Sequence, residues 1–280
     1  MPPLTTPNQE PINAVYGFVS ILLNVIQNLK PTHIAVCFDE KEKTFRNELL
    51  PAYQSQRPPT HDDLISQFDK AREFLKASGV PIYSKSGFEA DDAIGTIAEK
   101  SEKDMDEVVI VTGDRDILQL VTDKVRLFMP VGGLSNGKIY GREETKERMG
   151  VYPELIPDLK GLIGDPSDNY KGVTGIGPKT AEKLLEEFGS VDGIYKNIDK
   201  IPEKVREKLI KGKKDARMSH KLATIVKDVP IKVDFNEMEK WKLDSPQVLD
   251  LFKVFGFNTL TKRIQEVGKK IGTDKQMTLL

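Results

Sequence analysis

Two runs, "EVVIVTGDRD" and "IAVCFDE", constrain this chain more than any other feature, because each is a near-continuous apolar, β-branched stretch that stops on carboxylates. A strand that is apolar on successive residues must be covered on both faces. That is the pattern of a mostly parallel sheet flanked by helices, an α/β fold. The intervening sequence agrees. Val15 to Leu29 reads as a buried amphipathic helix, and "DDLISQFDKAREFLKASG" sets Leu64, Ile65, Phe68, Ala71, Phe74 and Leu75 on one face, with Gly79 as its stop. A further short strand is expected near "VPIYS". Ligands of open α/β sheets bind beyond the carboxyl ends of the strands. This sequence has Asp39 there after the first run, and Asp114 and Asp116 after the second.

More acids follow the same logic. "GFEADDAIGTIAEK" crowds Glu89, Asp91 and Asp92 into the start of a helix. One acid there gains roughly 0.3–1 kcal/mol from the helix dipole, but three within a turn raise one another's pKa unless a cation sits among them. "GDPSDN" adds Asp165 and Asp168. Asp114 also reads as the N-cap of a helix in "RDILQLV". If the strand ends gather these eight carboxylates, only divalent cations make the cluster tolerable. All-oxygen ligation selects Mg²⁺ or Mn²⁺, and two such ions serve phosphoryl transfer. A structural zinc site is excluded by scattered His33, His61 and His220 and by Cys37 as the lone cysteine.

Lys and Arg (42) balance Asp and Glu (43), so any nucleic-acid site must be local. Two segments offer one. In "GVTGIGPKTAEKLL" the turn Gly175-Ile176-Gly177 enters a helix whose free N–H groups, beside Lys179 and Thr180, form either a phosphate cradle or a plain turn. In "FDEKEKTFRNELLPAYQSQRPP", Lys41, Lys43, Arg46 and Arg57 alternate with Phe45 and Tyr53, which suits phosphates and stacked bases or an ordinary solvated helix. No segment has the length and polarity of a membrane span, and the start lacks a signal-peptide pattern. With one cysteine, a reducing cytoplasm is the expected setting.

In their order and spacing, "CFDEKEKTFRNELLPAYQSQRPP", "GFEADD", "VTGDRDILQLV", "GDPSDN" and "GVTGIGPKTAEKLL" resemble the 5′-nuclease (5′→3′ exonuclease and flap endonuclease) domain of the bacterial DNA polymerase I family, over roughly Met1 to Ile264. The resemblance implies a metal-dependent, structure-specific nuclease acting on 5′ flaps, forks and nicked duplex, including RNA primer strands, and expected to be a monomer. By the same resemblance Asp39, Glu89, Asp91, Asp92, Asp114, Asp116, Asp165 and Asp168 are expected to hold two Mg²⁺ or Mn²⁺ ions, and Gly175, Ile176, Gly177, Lys179 and Thr180 to form a duplex-binding helix-turn-helix with a potassium ion. A helical arch is expected at about 41–60. The implied layout is an α/β nuclease core over 1–150, a helical DNA-binding region over 151–235, a C-terminal part of the same domain over 236–267 and a flexible tail over 268–280.

The sequence departs from the family pattern in two places. Family members begin with a strand carrying a further metal-binding Asp, so the expectation is that the reading frame starts upstream of Met1. Gln54 stands where the family has a Lys beside the scissile phosphate, so Gln54 and Arg46 are the candidate catalytic groups and slow cleavage is expected. The alternative is a branched-DNA-binding protein that cuts poorly. Finally, "QMTLL" at the end resembles sliding-clamp peptides, with Gln276, Leu279 and Leu280 as the anchors, or is a frayed terminus.

Overall fold

Parallel pairing appears where the β-branched runs lie. In a computed structural model, which describes residues 4–130 and 137–278 (271–278 as backbone only), β1 (Val36–Cys37) pairs in parallel with β2 (Ile82–Tyr83). β3 (Val108–Val111) likewise pairs with β4 (Val125–Pro130), and β5 (Gly137–Tyr140) adds an antiparallel edge to β4. β4 and β5 lie outside the expected strands. Yet Val125, Leu127 and Met129 are buried in β4, in the two-residue rhythm of a half-covered strand. A hairpin of two-residue strands, β6 (Gly164–Asp165) and β7 (Tyr170–Lys171), and an isolated antiparallel bridge between Thr5 and Pro11 complete the pairing among the described residues.

Helices surround these ladders. The first five are α1 (Asn13–Leu29), α2 (Phe45–Leu49), α3 (Asp62–Ala77), α4 (Ala90–Asp104) and α5 (Arg142–Met149). They are followed by α6 (Ile156–Ile163), α7 (Pro178–Phe188), α8 (Val191–Lys196), α9 (Glu203–Lys211) and α10 (Lys213–Ala223). The last three are α11 (Phe235–Glu239), α12 (Pro246–Phe255) and α13 (Asn258–Thr278). The stretch expected to form the arch has one short helix, α2, and turns over 51–57. α13 continues helical to Thr278, where a tail from 268 is the sequence expectation. Buried Ile264 and Val267 anchor that helix.

Burial divides the apolar residues between two clusters. One joins β3 and β4 to α6, α7 and α10, through residues such as Ile110, Leu127, Leu162, Leu185 and Ala216. The other packs α1 and α3 against Trp241, α12 and α13, and holds Phe74, Phe252 and Phe257 within ring-contact distance. α4 touches both β1 and β3. The start of α4 and the ends of those two strands therefore meet, which brings together the acids that the sequence scatters over many residues. One expectation is corrected here. Ala71, Phe74 and Leu75 of α3 are buried, but Leu64, Ile65 and Phe68 are 38%, 41% and 43% exposed, because the first turns of α3 extend beyond the cluster that its second half packs on.

No helix among the described residues is long and apolar enough to cross a membrane.

Candidate active site

Beyond the strand ends lies a cleft of about 350 Å³ lined by Asp39, Glu89, Asp91, Asp114, Asp116 and Asp168, with Arg46, Tyr53, Gln54 and Arg57 across it. Asp39 follows β1 and its Oδ1 accepts from the Ala90 amide at 2.8 Å, which ties the strand end to the start of α4. Asp114 Oδ1 accepts from the Asp116 amide at 2.8 Å in a local turn, but the N-cap position of the following 3₁₀ helix, Asp116–Leu120, is Arg115, so Asp114 is not the helix cap that the sequence suggests. Asp165 and Asp168 come from the β6–β7 hairpin. Carboxylate oxygens of Asp116, Asp165 and Asp168 lie within 4.8 Å of one another, close enough to share one cation.

Electrostatics mark the cluster as short of positive charge. Burial pushes Asp91 up to about 7, helped by the charges of Asp114, Glu89, Asp39 and Asp116. Burial likewise pushes Glu89 up to about 7, with Asp92, Asp39 and Asp168 adding to it and Arg46 opposing. Like charges held together in a partly buried cleft without enough counter-charge produce this result. A set of carboxylates alone, with oxygens that converge, fits a hard divalent cation. The donors present therefore suit Mg²⁺ or Mn²⁺.

Asp92 is corrected from metal ligand to frame. It is fully buried, and its oxygens are taken by Arg46 Nη1 at 2.7 Å, Arg46 Nη2 at 2.8 Å, the Val226 amide at 2.9 Å and the Glu89 amide at 3.0 Å. Arg46 is corrected with it. At 2% exposure it also donates to the carbonyls of Leu222 and Thr224, which leaves it a strut between α2, α4 and the end of α10 rather than a free phosphate contact. Burial works against its charge, but Asp92 and Glu89 hold it firmly protonated. Tyr53, expected to stack on bases, is 5% exposed, stacks on Tyr170 at 6.4 Å and donates to Asp168 Oδ2 at 3.2 Å.

Among the other expected contacts, Arg57 is 54% exposed and pairs with Asp168 Oδ1 at 2.6 Å, at the cleft rim. Gln54 lines the cleft in left-handed backbone (φ 54°), with its amide Nε2 on Tyr53 Oη at 3.1 Å. Lys41 and Lys43 are exposed but do not line the cleft. In the glycine turn, Gly175 adopts φ 82° and Gly177 precedes α7, with Lys179 exposed and Thr180 half-buried beside them. The Ile176 side chain, grouped by sequence with the DNA-binding residues, is 6% exposed and anchors the turn in the core. Gln276 lies in the backbone-only end of α13, and Leu279 and Leu280 lie outside the described residues.

Two cationic groups escape the motif search. Lys160 on α6 pairs with both Asp116 and Asp165, and Lys208 on α9 donates to the Gly175 carbonyl at 3.0 Å. Lys160 follows an apolar helical pattern and carries no local sign of its partners.

A family model for the 5′-3′ exonuclease N-terminal resolvase-like domain matches residues 1–150, and one for the 5′-3′ exonuclease C-terminal SAM fold matches 151–246. The chain is 42% identical over 266 residues to DNA polymerase I of Bacillus subtilis, covering 95% of this chain but 30% of that protein. It is 42% identical over 221 residues to a 5′-3′ exonuclease of the same organism, covering 79% of this chain and 74% of the relative. Among solved structures, the T5 D15 protein co-crystallised with metal ions superposes with a TM-score of 0.64 at 25% identity, covering 91% of this chain and 92% of that one. Matched by both models along 1–246, and by a relative of comparable length, the chain belongs to the 5′-3′ exonuclease family.

Proposed function

We propose that the chain is a divalent-metal-dependent nuclease that cleaves phosphodiester bonds at 5′ flaps, forks and nicked duplex ends. The observation that carries this reading is the convergence of Asp39, Glu89, Asp91, Asp114, Asp116, Asp165 and Asp168 beyond the strand ends, with Glu89 and Asp91 each pushed up to about 7 by burial and by neighbouring carboxylates. These residues would hold two Mg²⁺ or Mn²⁺ ions. When bound, such ions supply an activated water and offset the charge of the attacking and leaving oxygens. The protein's own groups position the strand. Arg57 stands at the rim with its side chain about half exposed, able to meet a phosphate. The glycine turn and the start of α7 offer backbone N–H groups and Lys179 to the duplex backbone, contacts that fix register without reading sequence. The Gly175 carbonyl already accepts from Lys208, so a potassium ion at the turn would compete with that ammonium. Clamp docking through Gln276, Leu279 and Leu280 rests on the sequence alone.

A second reading, branched-DNA binding with little cleavage, is favoured by Gln54, which contributes an amide where a charge would stabilise the leaving group. Cleavage of a labelled 5′-flap duplex in Mg²⁺, Mn²⁺ or chelator, beside Asp114→Asn, separates the two. Metal-dependent cutting lost in the variant is the expected result. Binding without cutting in any metal overturns the enzyme reading in favour of the module.

A further inference from the structure

The acid cluster is asymmetric in how its charge is met. On the α4 side, Asp91 has no hydrogen-bond or ion-pair partner among the described residues, and Asp39 and Asp114 each accept from one backbone amide. On the hairpin side the carboxylates are fully engaged. Asp165 Oδ2 accepts from Lys160 at 2.5 Å, and its Oδ1 accepts from the Ser167 amide at 2.8 Å and the Ser167 hydroxyl at 2.6 Å. Asp168 accepts from Arg57 on one oxygen and from Tyr53 on the other. The Lys160 ammonium also contacts Asp116 Oδ1, so it sits between two of the three carboxylates whose oxygens converge.

Lys160 is held close to these acids when no other partner is offered. Its side chain is 9% exposed, and it springs from α6, a helix buried along Ile156 to Leu162. A carboxylate can accept from an ammonium and bind a divalent cation at once, but two cations held on the same few carboxylates repel each other, and each takes lone-pair directions that the other would use. An ion entering this half works against the charge of Lys160 or must move it aside.

We propose that Lys160 is a positioning residue acting as a built-in competitor of the divalent ion at Asp116, Asp165 and Asp168, so that the DNA-free protein loads its α4 side first and keeps the hairpin side metal-poor. This rests on the metal reading above and concerns the order in which that site fills. Arg57 plays a lesser part in the same device by holding Asp168. An arriving phosphate offers both cations an alternative partner, which frees the carboxylates at the moment the strand is in place. The gain is a site that orders its own acids without metal and commits its second ion only with substrate.

The test is Mn²⁺ binding to the DNA-free protein, followed by calorimetry and by loss of the free-ion paramagnetic resonance signal, in wild type, Lys160→Met and Lys160→Arg. Wild type is expected to bind one ion tightly and a second weakly. Lys160→Met is expected to tighten the second by about tenfold or more, because an internal competitor weakens apparent affinity by the fraction of time it occupies the site. Lys160→Arg, which keeps the charge, should behave as wild type. Unchanged or weaker second binding in a natively folded Lys160→Met overturns the proposal, as does equal tightening in Lys160→Arg. Should Lys160→Met fail to fold, Arg57→Gln at the exposed rim unlocks Asp168 without touching the core. It should tighten the second ion in the same direction by a smaller factor, and no change there overturns the proposal. Absence of any Mn²⁺ binding in every protein overturns the metal reading itself, and this inference with it.

Discussion

Glu89 and Asp91 both hold protons near neutrality, at about 7, because burial and neighbouring carboxylates disfavour their charge. Their ordinary values are 4.5 and 3.8, so between about 4 and about 7 the folded protein binds more protons than the unfolded chain. Stability from these groups is therefore greatest at low pH, falls as pH rises through that window and levels off above it. In chelator, the melting temperature at pH 8 should lie below that at pH 5. Saturating Mg²⁺, which binds only the native cluster, should remove or reverse the gap, and Asp91→Asn should flatten the chelated profile. Asp92 behaves differently. Its ion pair with Arg46 is buried on both sides, so Asp92→Asn or Arg46→Met leaves a charge without its partner and should cost about 3–5 kcal/mol in urea unfolding. Gln54→Lys places an ammonium at the cleft and should raise single-turnover flap cleavage about tenfold or more, up to the roughly 10²–10³ that one well-aligned donor is worth. No gain would mean that the position does not reach the scissile phosphate. At this scale the sequence reveals that acids gather, since strand ends are readable. It does not reveal which acid faces the cleft. Asp91 and Asp92 are adjacent on one helix, so about 100° of rotation sends one to the cleft and the other to the core.

Elements decide where the hairpin acids stand. Gly164 opens β6 at φ 74°, and a Cβ there would lie 2.3 Å from the Gly172 amide nitrogen and 2.7 Å from the Tyr170 carbonyl oxygen. Those are backbone atoms of the partner strand and cannot swing aside. Gly164→Ala must therefore shift the hairpin, and with it Asp165 and Asp168. The expected outcome is a stability loss of about 1–3 kcal/mol, with Mn²⁺ binding at the hairpin side and flap cleavage reduced by more than that loss explains. A variant with native ion binding would show that the hairpin does not set the carboxylates. Much of the element level is legible in advance. α3, β1 and β3 fall within stretches with the matching apolar rhythm, while α1 starts earlier than its stretch, at Asn13, and α4 runs past its own to Asp104. Legibility ends where packing chooses among equivalent residues: all six apolar positions of α3 share a face, but the cluster beneath covers Ala71, Phe74 and Leu75 and stops short of Leu64, Ile65 and Phe68. Lys160 is hidden for the same reason, because its partners are set by how α6 lies against the hairpin and the end of β3.

Across the whole molecule, the two ends of the chain form one of its cores. Trp241, Leu243, Val248, Phe252, Phe255, Phe257, Leu260, Ile264 and Val267 are all buried, against a face built by α1 and α3 that includes Ile12, Val15, Val19, Leu23, Phe74 and Leu75. Fully burying one such side chain stabilises by about 1.5–3 kcal/mol, so the set is worth well over about 10 kcal/mol, comparable to the whole net stability of a domain at about 5–15 kcal/mol. The consequence reaches the active site by a short physical route. α1 leads into β1, beyond whose end Asp39 lies, and α3 leads into β2, the strand that pairs with β1. A chain ended after Lys240 should therefore lose the N-terminal cluster and, with it, the fixed position of Asp39, although no deleted residue lines the cleft. The cluster around α6, α7 and α10 contains none of the deleted residues, so loss should be partial: helical far-ultraviolet dichroism retained in part, dye binding to exposed apolar surface, and no flap cleavage. Phe252→Ala in the full-length chain grades the same effect, with an expected cost of about 3–5 kcal/mol and cleavage retained below the new melting temperature. If the shortened chain unfolds cooperatively and cleaves at the full rate, the C-terminal helices do not hold the sheet, and the coupling between that core and Asp39 is wrong.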